Sequence, residues 1–243
     1  YLPYKPKRKT RAVKAKERGL EPLADILMLQ QERDVENRAV AFLTDEVPNV
    51  EEALQGARDI IAEKVNEDIK AREVTRILFE RQAVITSKLV KGKEEEAAKY
   101  RDYFDFSEPL KRCPSHRLLA MRRGEKEGFL KVSVSPDAEE AVERLERLFV
   151  KGRNAAAEQV AMAVEDAYKR LLAPSIENEV GNAVREKAES EAIRVFAANM
   201  RQLLLSPPLG QKRVLAIDPG FRTGCKVVCI DAQGNLLHNE TIY

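Results

Sequence analysis

From Gly19 to Ser206 the apolar residues recur at three- and four-residue spacing, the period of helices with one buried face. Pro22 suits the first turn of a helix carrying Leu23, Ile26 and Leu27 on one side. Residues 49–65 repeat the pattern with Val50, Ala53, Leu54, Ala57, Ile60 and Ile61, and residues 67–81 with Val74, Ile77 and Leu78 inward. Residues 83–90 then read as extended, and Lys91-Gly92-Lys93 as a turn. Four aromatics crowd into residues 100–106. Interleaved with Lys99 and Arg101 they suit a base-stacking platform; Tyr100, Tyr103 and Phe104 also share one helical face, which suits a core anchor, and packing is the favoured reading.

Ser115 is a candidate cap for a short helix through Arg123, ended by Gly124. Residues 129–134 alternate and predict a strand that pairs with residues 83–90 in a small β element. Asp137 followed by Glu140 resembles a capping box, and the helix it starts carries Ala138, Ala141, Val142, Leu145, Leu148 and Phe149. Gly152 ends it and Asn154 caps the next, whose stripe runs from Ala157 to Leu172. Pro174 predicts a break, and Ser175 caps a last helix to Leu205 lined by Ile176, Val180, Val184, Ala188, Ala192, Val195, Phe196, Met200 and Leu203. Ser206-Pro207-Pro208-Leu209-Gly210 stops the helical period, and beyond it strands at residues 214–218, 225–230 and 236–242 form an antiparallel meander.

These readings give a mainly α chain: a multi-helix scaffold with a small β element, followed by three antiparallel strands that open a second domain. The expected divisions are a basic arm (1–18), a helical scaffold (19–206) and the meander (207–243). Starting at Tyr1 and stopping within a strand, the chain reads as a piece of a longer protein.

Charge changes the picture. Of 243 residues, 42 are Lys or Arg and 40 Asp or Glu, a net +2 that argues against a uniformly basic nucleic-acid coat. Residues 1–18, however, hold eight basic side chains against the single acid Glu17, a net +7, which leaves the other 225 residues at −5. Residues 1–9 are expected to be extended, with a helical turn over residues 10–18. Lys5, Lys7, Arg8, Lys9, Arg11 and Lys14 are the candidate nucleic-acid-binding residues, since each phosphate neutralised releases a counterion. The alternative is that the arm lies on the acidic body of its own chain.

Other chemistry is sparse. Cys225 and Cys229, four apart in a strand, stand roughly 13 Å from each other, too far for a disulfide. Three unpaired cysteines point to a reduced, cytoplasmic setting. With only His116 and His238 beside them, no zinc site is expected, and neither a metal nor a cofactor is assigned. His116 has no partner constellation and reads as a capping or surface residue. No apolar run approaches the roughly 20 residues of a membrane span. One acid is distinctive: Asp218 ends a buried-type strand beside the turn Pro219-Gly220, a placement suited to holding a divalent metal against a phosphate if further carboxylates converge there.

Ile217-Asp218-Pro219-Gly220-Phe221-Arg222-Thr223-Gly224-Cys225-Lys226 resembles the opening of the YqgF domain, an RNase H-like (RuvC-resolvase-like) fold, in the bacterial Tex family of transcription accessory proteins. The likeness extends to Tyr1-Leu2-Pro3-Tyr4-Lys5-Pro6-Lys7-Arg8, Gly19-Leu20-Glu21-Pro22-Leu23-Ala24-Asp25, Lys91-Gly92-Lys93-Glu94-Glu95-Glu96, Tyr103-Phe104-Asp105-Phe106-Ser107-Glu108-Pro109 and Pro114-Ser115-His116-Arg117. It implies that the three strands begin an RNase H-like α/β domain. It also implies a cytoplasmic, nucleic-acid-binding transcription accessory protein, with RNA and/or single-stranded DNA as partner of the full-length protein and RNA polymerase or other transcription machinery as an expected protein partner. In RNase H-like nucleases the acid at Asp218 is one of several metal-binding carboxylates. In Tex that set is generally held to be incomplete, which makes Asp218 a relic and the fragment a non-enzymatic scaffold. The rival is a metal-dependent RuvC/RNase H-like nuclease or resolvase centred on Asp218.

Overall fold

Most helices start where a short polar side chain caps an apolar stripe. In the computed structural model, which describes residues 9–220 and 222–243, Thr10 caps α1 (Arg11–Glu17). Pro22 occupies the first turn of α2 (Glu21–Leu29). Asp34 caps α3 (Val35–Val40), Asn49 caps α4 (Val50–Glu67) and Asp68 caps α5 (Ile69–Gln82), each accepting a backbone N–H three residues on. There follow β1 (Val84–Leu89), a 3-10 turn (Ala98–Tyr103), β2 (Asp105–Pro109), α6 (Ser115–Lys126) and β3 (Leu130–Ser135). Asp137 and Asn154 cap α7 (Ala138–Phe149) and α8 (Ala155–Ala167). After α9 (Ala173–Leu204) come β4 (Val214–Asp218), β5 (Cys225–Ile230) and β6 (Leu236–Ile242). The chain divides into two compact units, Tyr1–Ala192 and Ile193–Tyr243, a division inside α9 rather than at the Ser206–Gly210 break.

The first unit has two apolar cores. One gathers α1 to α4 with α7 and α8 around Leu23, Ile60, Ile61, Leu145, Val160 and Leu172. The other gathers β1, β3, α6 and the start of α9 around Phe79, Ile85, Met121, Val134 and Ile176. α5 serves both, with Ala71 and Leu78 in the first and Phe79 in the second. This fixes its rotation: the buried stripe is Ala71, Thr75, Leu78 and Phe79, and Ile77, expected inward, is exposed. Phe79 and Ile77 lie on nearly opposite sides of the helix, so seating the larger Phe79 ring in the second core turns Ile77 outward. Ala138 and Leu148 of α7 are likewise on the open side.

The small sheet has the order β2-β1-β3, antiparallel throughout. The predicted pairing of β1 with β3 is present, and β2 is an addition. Of the aromatic cluster, only Tyr100 and Tyr103 sit in the 3-10 turn, Phe106 is on β2, and Tyr100, Tyr103, Phe104 and Phe106 all pack on the second core. The packing reading therefore holds while the single helical face does not. α6 starts at Ser115 itself, one residue earlier than a Ser115 cap would require. Pro114 precedes its first turn, and the Ser115 hydroxyl donates instead to Glu191 of α9. Gly124 lies inside α6, where a Cβ would stand 2.6 Å from Leu130 Cδ1, so its role is close approach of helix to strand. The left-handed residue that follows is Gly128 (φ 79°).

Pro174 does not break the chain into separate helices. A π turn (Tyr168–Leu172) joins α8 to α9, and the Ala173 N–H donates to the Tyr168 carbonyl, five residues back. Widening the helix immediately before Pro174 removes the need for the N–H that proline lacks and relieves the clash of its ring with the preceding turn. α9 is fastened to α5 by Arg76, whose Nε donates to Glu179 (2.6 Å), and by Arg72, which donates to Ser175 (3.0 Å). Glu177 accepts the Val134 N–H at the edge of β3 (2.6 Å), closing a strand edge that would otherwise be free to pair.

The second unit contains the end of α9 and the predicted meander, order β4-β5-β6. A bulge at Cys229 and Ile230 accompanies the β5–β6 turn. Asp231 organises that turn: its carboxylate accepts the N–H groups of Gln233 (2.9 Å) and Asn235 (2.8 Å) and the Asn235 side chain (2.9 Å). These bonds, the Asn235 amide foremost, hold its carboxyl below the usual range.

Candidate nucleic-acid interface

The described part of the basic arm is folded onto the body. Ala12 and Ala15 are buried against α4, and Gly56 permits this, since a Cβ there would meet Leu20 Cδ1 at 2.4 Å and Ala15 Cβ at 3.4 Å. Thr10 accepts the Val13 N–H and donates its hydroxyl to Glu63 (2.9 Å), tying the start of α1 to α4. Lys9 pairs with Glu17 at 3.2 Å and Lys16 with Glu21 at 3.4 Å. Lys5, Lys7 and Arg8 lie outside the described residues. Of the predicted binding residues, the structure brings Arg11 and Lys14 together along the α1–α4 seam, which supports the intramolecular reading for residues 10–18.

Two clefts open along that seam. The larger, about 580 Å³, is lined by Arg11, Gln55, Arg58, Asp59, Asp166 and Lys169, and the smaller, about 220 Å³, by Arg11, Lys14, Arg18, Glu52 and Asp59. Between them lies a polar network that sequence reasoning missed. Arg58, buried, donates to Gln55 (2.8 Å), Gln159 (2.5 Å) and Glu51. Asp59, also buried, accepts from Gln55 and from Arg170, both at 3.4 Å, while Arg170 is paired more closely with Asp166 (2.5 Å). Burial pushes the Asp59 carboxyl upward, against the opposing pull of Arg170 and Arg11. The one available signal was an Arg-Asp pair set inside the apolar stretch from Ala57 to Ile61. Each cleft mixes both signs of charge, which suits a polar contact surface better than a pure phosphate cradle.

Asp218 ends β4 opposite Lys226 of β5 and is exposed. The adjoining turn is tight: a Cβ on Gly220 would lie 2.5 Å from the Gly224 carbonyl oxygen. Among the described residues no group of three or more His, Cys, Asp and Glu side chains is placed to hold a metal ion. His116 is exposed on α6, and His238 faces Glu240 at 3.4 Å. No helix among the described residues is long and apolar enough to cross a membrane.

Comparison with known proteins decides the family. Residues 30–196 match the model of the Tex central region, and residues 212–243 that of the Tex protein YqgF-like domain. The chain belongs to the Tex family. It is 40% identical over 259 residues to the Protein tex of Bordetella pertussis, covering 100% of this chain and 33% of the relative. It is 38% identical over 256 residues to the transcriptional accessory protein Tex of Neisseria gonorrhoeae, again covering 100% of this chain and 33% of the relative. A more distant relative is the human S1 RNA-binding domain-containing protein 1, 28% identical over 259 residues, which covers 99% of this chain and 26% of the relative. The chain thus spans about a third of the length of the bacterial Tex relatives it matches. The Tex central region match ends within α9, and the YqgF-like match contains the whole β4-β5-β6 sheet.

Proposed function

We propose that this chain is the scaffold segment of a nucleic-acid-binding transcription accessory protein: a helical body that positions RNA- or DNA-binding modules and contacts the transcription machinery, RNA polymerase included. The observation that carries this reading is the match, along all of this chain and a third of the relative, to a protein named for a transcriptional accessory role. The match to a protein named for an S1 RNA-binding domain points to RNA as the nucleic acid. Two cores joined through α5 and through the continuous α8, π turn and α9 support a load-transmitting role, because few joints are left to bend. Removing the segment matched by residues 19–206 from the full-length Bordetella pertussis relative is expected to lower its RNA affinity and abolish its transcriptional role. Unchanged affinity and unchanged transcription would overturn the scaffold reading.

Asp218 is read as a remnant of RNase H-like ancestry rather than a working ligand, and the segment as non-enzymatic. The rival reading, a metal-dependent nuclease, is favoured by the placement of Asp218 at a strand end beside a tight turn. It has a direct test. Cleavage of single-stranded or branched nucleic acid by the full-length protein in magnesium or manganese that disappears in Asp218→Asn would establish the rival.

A further inference from the structure

The sheet β2-β1-β3 is covered on one face only. Ile85, Ser87, Leu130, Val132 and Val134 face the second core, while the opposite face carries Lys88, Lys131, Asp105, Thr86, Ser107 and Ser133. On that open face Lys88 and Lys131 stand directly opposite each other on neighbouring strands, both exposed. Like charges so placed destabilise a sheet, so folding alone gives no reason for the pair. Four nearby bases are held in ion pairs: Lys93 by Glu96, Lys99 by Glu127, Arg117 by Glu108 and Arg122 by Glu125. Lys88 and Lys131 make no ion pair among the described residues, and Asp105, across from Lys88 on β2, offsets only one of the two charges.

The next row outward is made entirely of short hydroxyl side chains, Ser107, Thr86 and Ser133 in register, with Thr86 and Ser133 bonded to each other at 2.7 Å. After β2 the chain turns through the buried Leu110 to the exposed Lys111 and Arg112. From Lys88 to Val84 the strand advances about 13 Å; the hydroxyl row lies midway, between the lysine row and a last row of Pro109, Val84 and Ser135 in register. The aromatics of this region turn to the core, so nothing on this face stacks bases, and contact falls on the sugar-phosphate backbone.

We propose that this open sheet face binds the backbone of single-stranded RNA, with Lys88 and Lys131 on phosphates and the Ser107-Thr86-Ser133 row on 2′-hydroxyls. The inference rests on the nucleic-acid reading above and gives it a surface within this chain. The test is fluorescence anisotropy of a labelled oligouridylate against the 243-residue chain, titrated between about 50 and 200 mM salt. In Lys88→Gln/Lys131→Gln the slope of log affinity against log salt is expected to fall by about 1.4, two phosphates at roughly 0.7 each. Its melting temperature should equal or exceed that of wild type, because a like-charge pair is gone. A control, Lys70→Gln/Lys187→Gln, changes two exposed lysines of α5 and α9 and should leave the slope unaltered. Equal slopes in the wild type and the sheet variant, or no binding by the wild type at the lowest salt, would overturn this surface; the scaffold reading falls only by the deletion experiment. Oligothymidylate binding as tightly as oligouridylate would overturn the assignment to RNA.

Discussion

α9 shows one hydrophobic pattern meeting two environments. Between Ile176 and Ala188 its apolar residues close the second core: Ile176 is fully buried, Val180 and Ala188 nearly so. Past Ala192 the same spacing continues through Val195, Phe196, Met200 and Leu203, yet Phe196 is 64% and Leu203 72% exposed. The periodicity of a helix says which side chains share a face. It does not say whether anything covers that face, because burial depends on what the rest of the fold delivers there. The second unit makes the same point in strands, where Leu215 (63%) and Ile217 (56%) of β4 are apolar and exposed.

The sharpest way to break this comparison is a matched pair of truncations along α9. Ile176→Ala is expected to destabilise the first unit by about 2–5 kcal/mol, the usual cost of emptying a core position. Phe196→Ala should change stability by no more than about 0.5 kcal/mol. Urea denaturation followed by circular dichroism measures both, and equal losses would show that the outer half of α9 is as buried as the inner.

A smaller effect is expected at Gln30, the joint between the end of α2 and the α7–α8 loop. Its backbone is left-handed (φ 54°), its side-chain amide donates to the Phe149 carbonyl (2.7 Å), and its side-chain oxygen accepts the N–H groups of Lys151 (2.7 Å) and Gly152 (3.2 Å). Gln30→Ala leaves those groups unpaired at a buried site and should cost about 1–3 kcal/mol in the same denaturation assay. An unchanged midpoint would mean that water replaces the amide and that the joint is looser than the first core it adjoins.

Two titrating groups sharpen the contrast further. Burial, helped by Glu108, pushes the Cys113 thiol up to about 12. Iodoacetamide should therefore label it more slowly than a free cysteine at pH 8–9, where an ordinary thiol begins to ionise. A Cys225→Ser/Cys229→Ser background isolates the measurement, and labelling at the free-cysteine rate would contradict the burial of this part of the second core. The linked stability has a definite sign. A raised thiol pKa contributes fully below the unfolded value of about 8.5 and is lost as pH climbs from there towards about 12. Asp59 behaves in the same sense at lower pH, its raised pKa making the ionised form the costly one in the folded chain. Asp59→Asn should give a small rise in the denaturation midpoint at pH 7, and the gain should shrink as pH approaches 4. A loss of stability at pH 7 would show that attraction to Arg170 and Arg11 outweighs desolvation.

Local rules were legible in the chain itself. The caps Asp137 and Asn154, the meander after Gly210 and the extended character of residues 83–90 and 129–134 follow from neighbours within a few positions. The motif around Asp218 marked the family from ten consecutive residues. The candidate interface was far less legible. Arg11 and Lys14 stand out as basic, but their place on α4 depends on Gly56, some 40 residues away in the sequence. The Lys88 and Lys131 pair and the hydroxyl row become visible only once β2 is known to join the sheet, because no window of sequence contains all three strands.

The sequence by itself determined where most helices and strands lie, the uneven charge of the first 18 residues and membership of the Tex family, because these rest on short-range backbone preferences and contiguous motifs. Only the tertiary structure decided that Phe79 rather than Ile77 turns inward, that Pro174 is carried through a π turn, that the described arm packs on α4, and which apolar faces are covered. Each of these is a competition between distant parts of the chain for the same space, and close packing settles it in favour of the arrangement that leaves neither a void nor a clash.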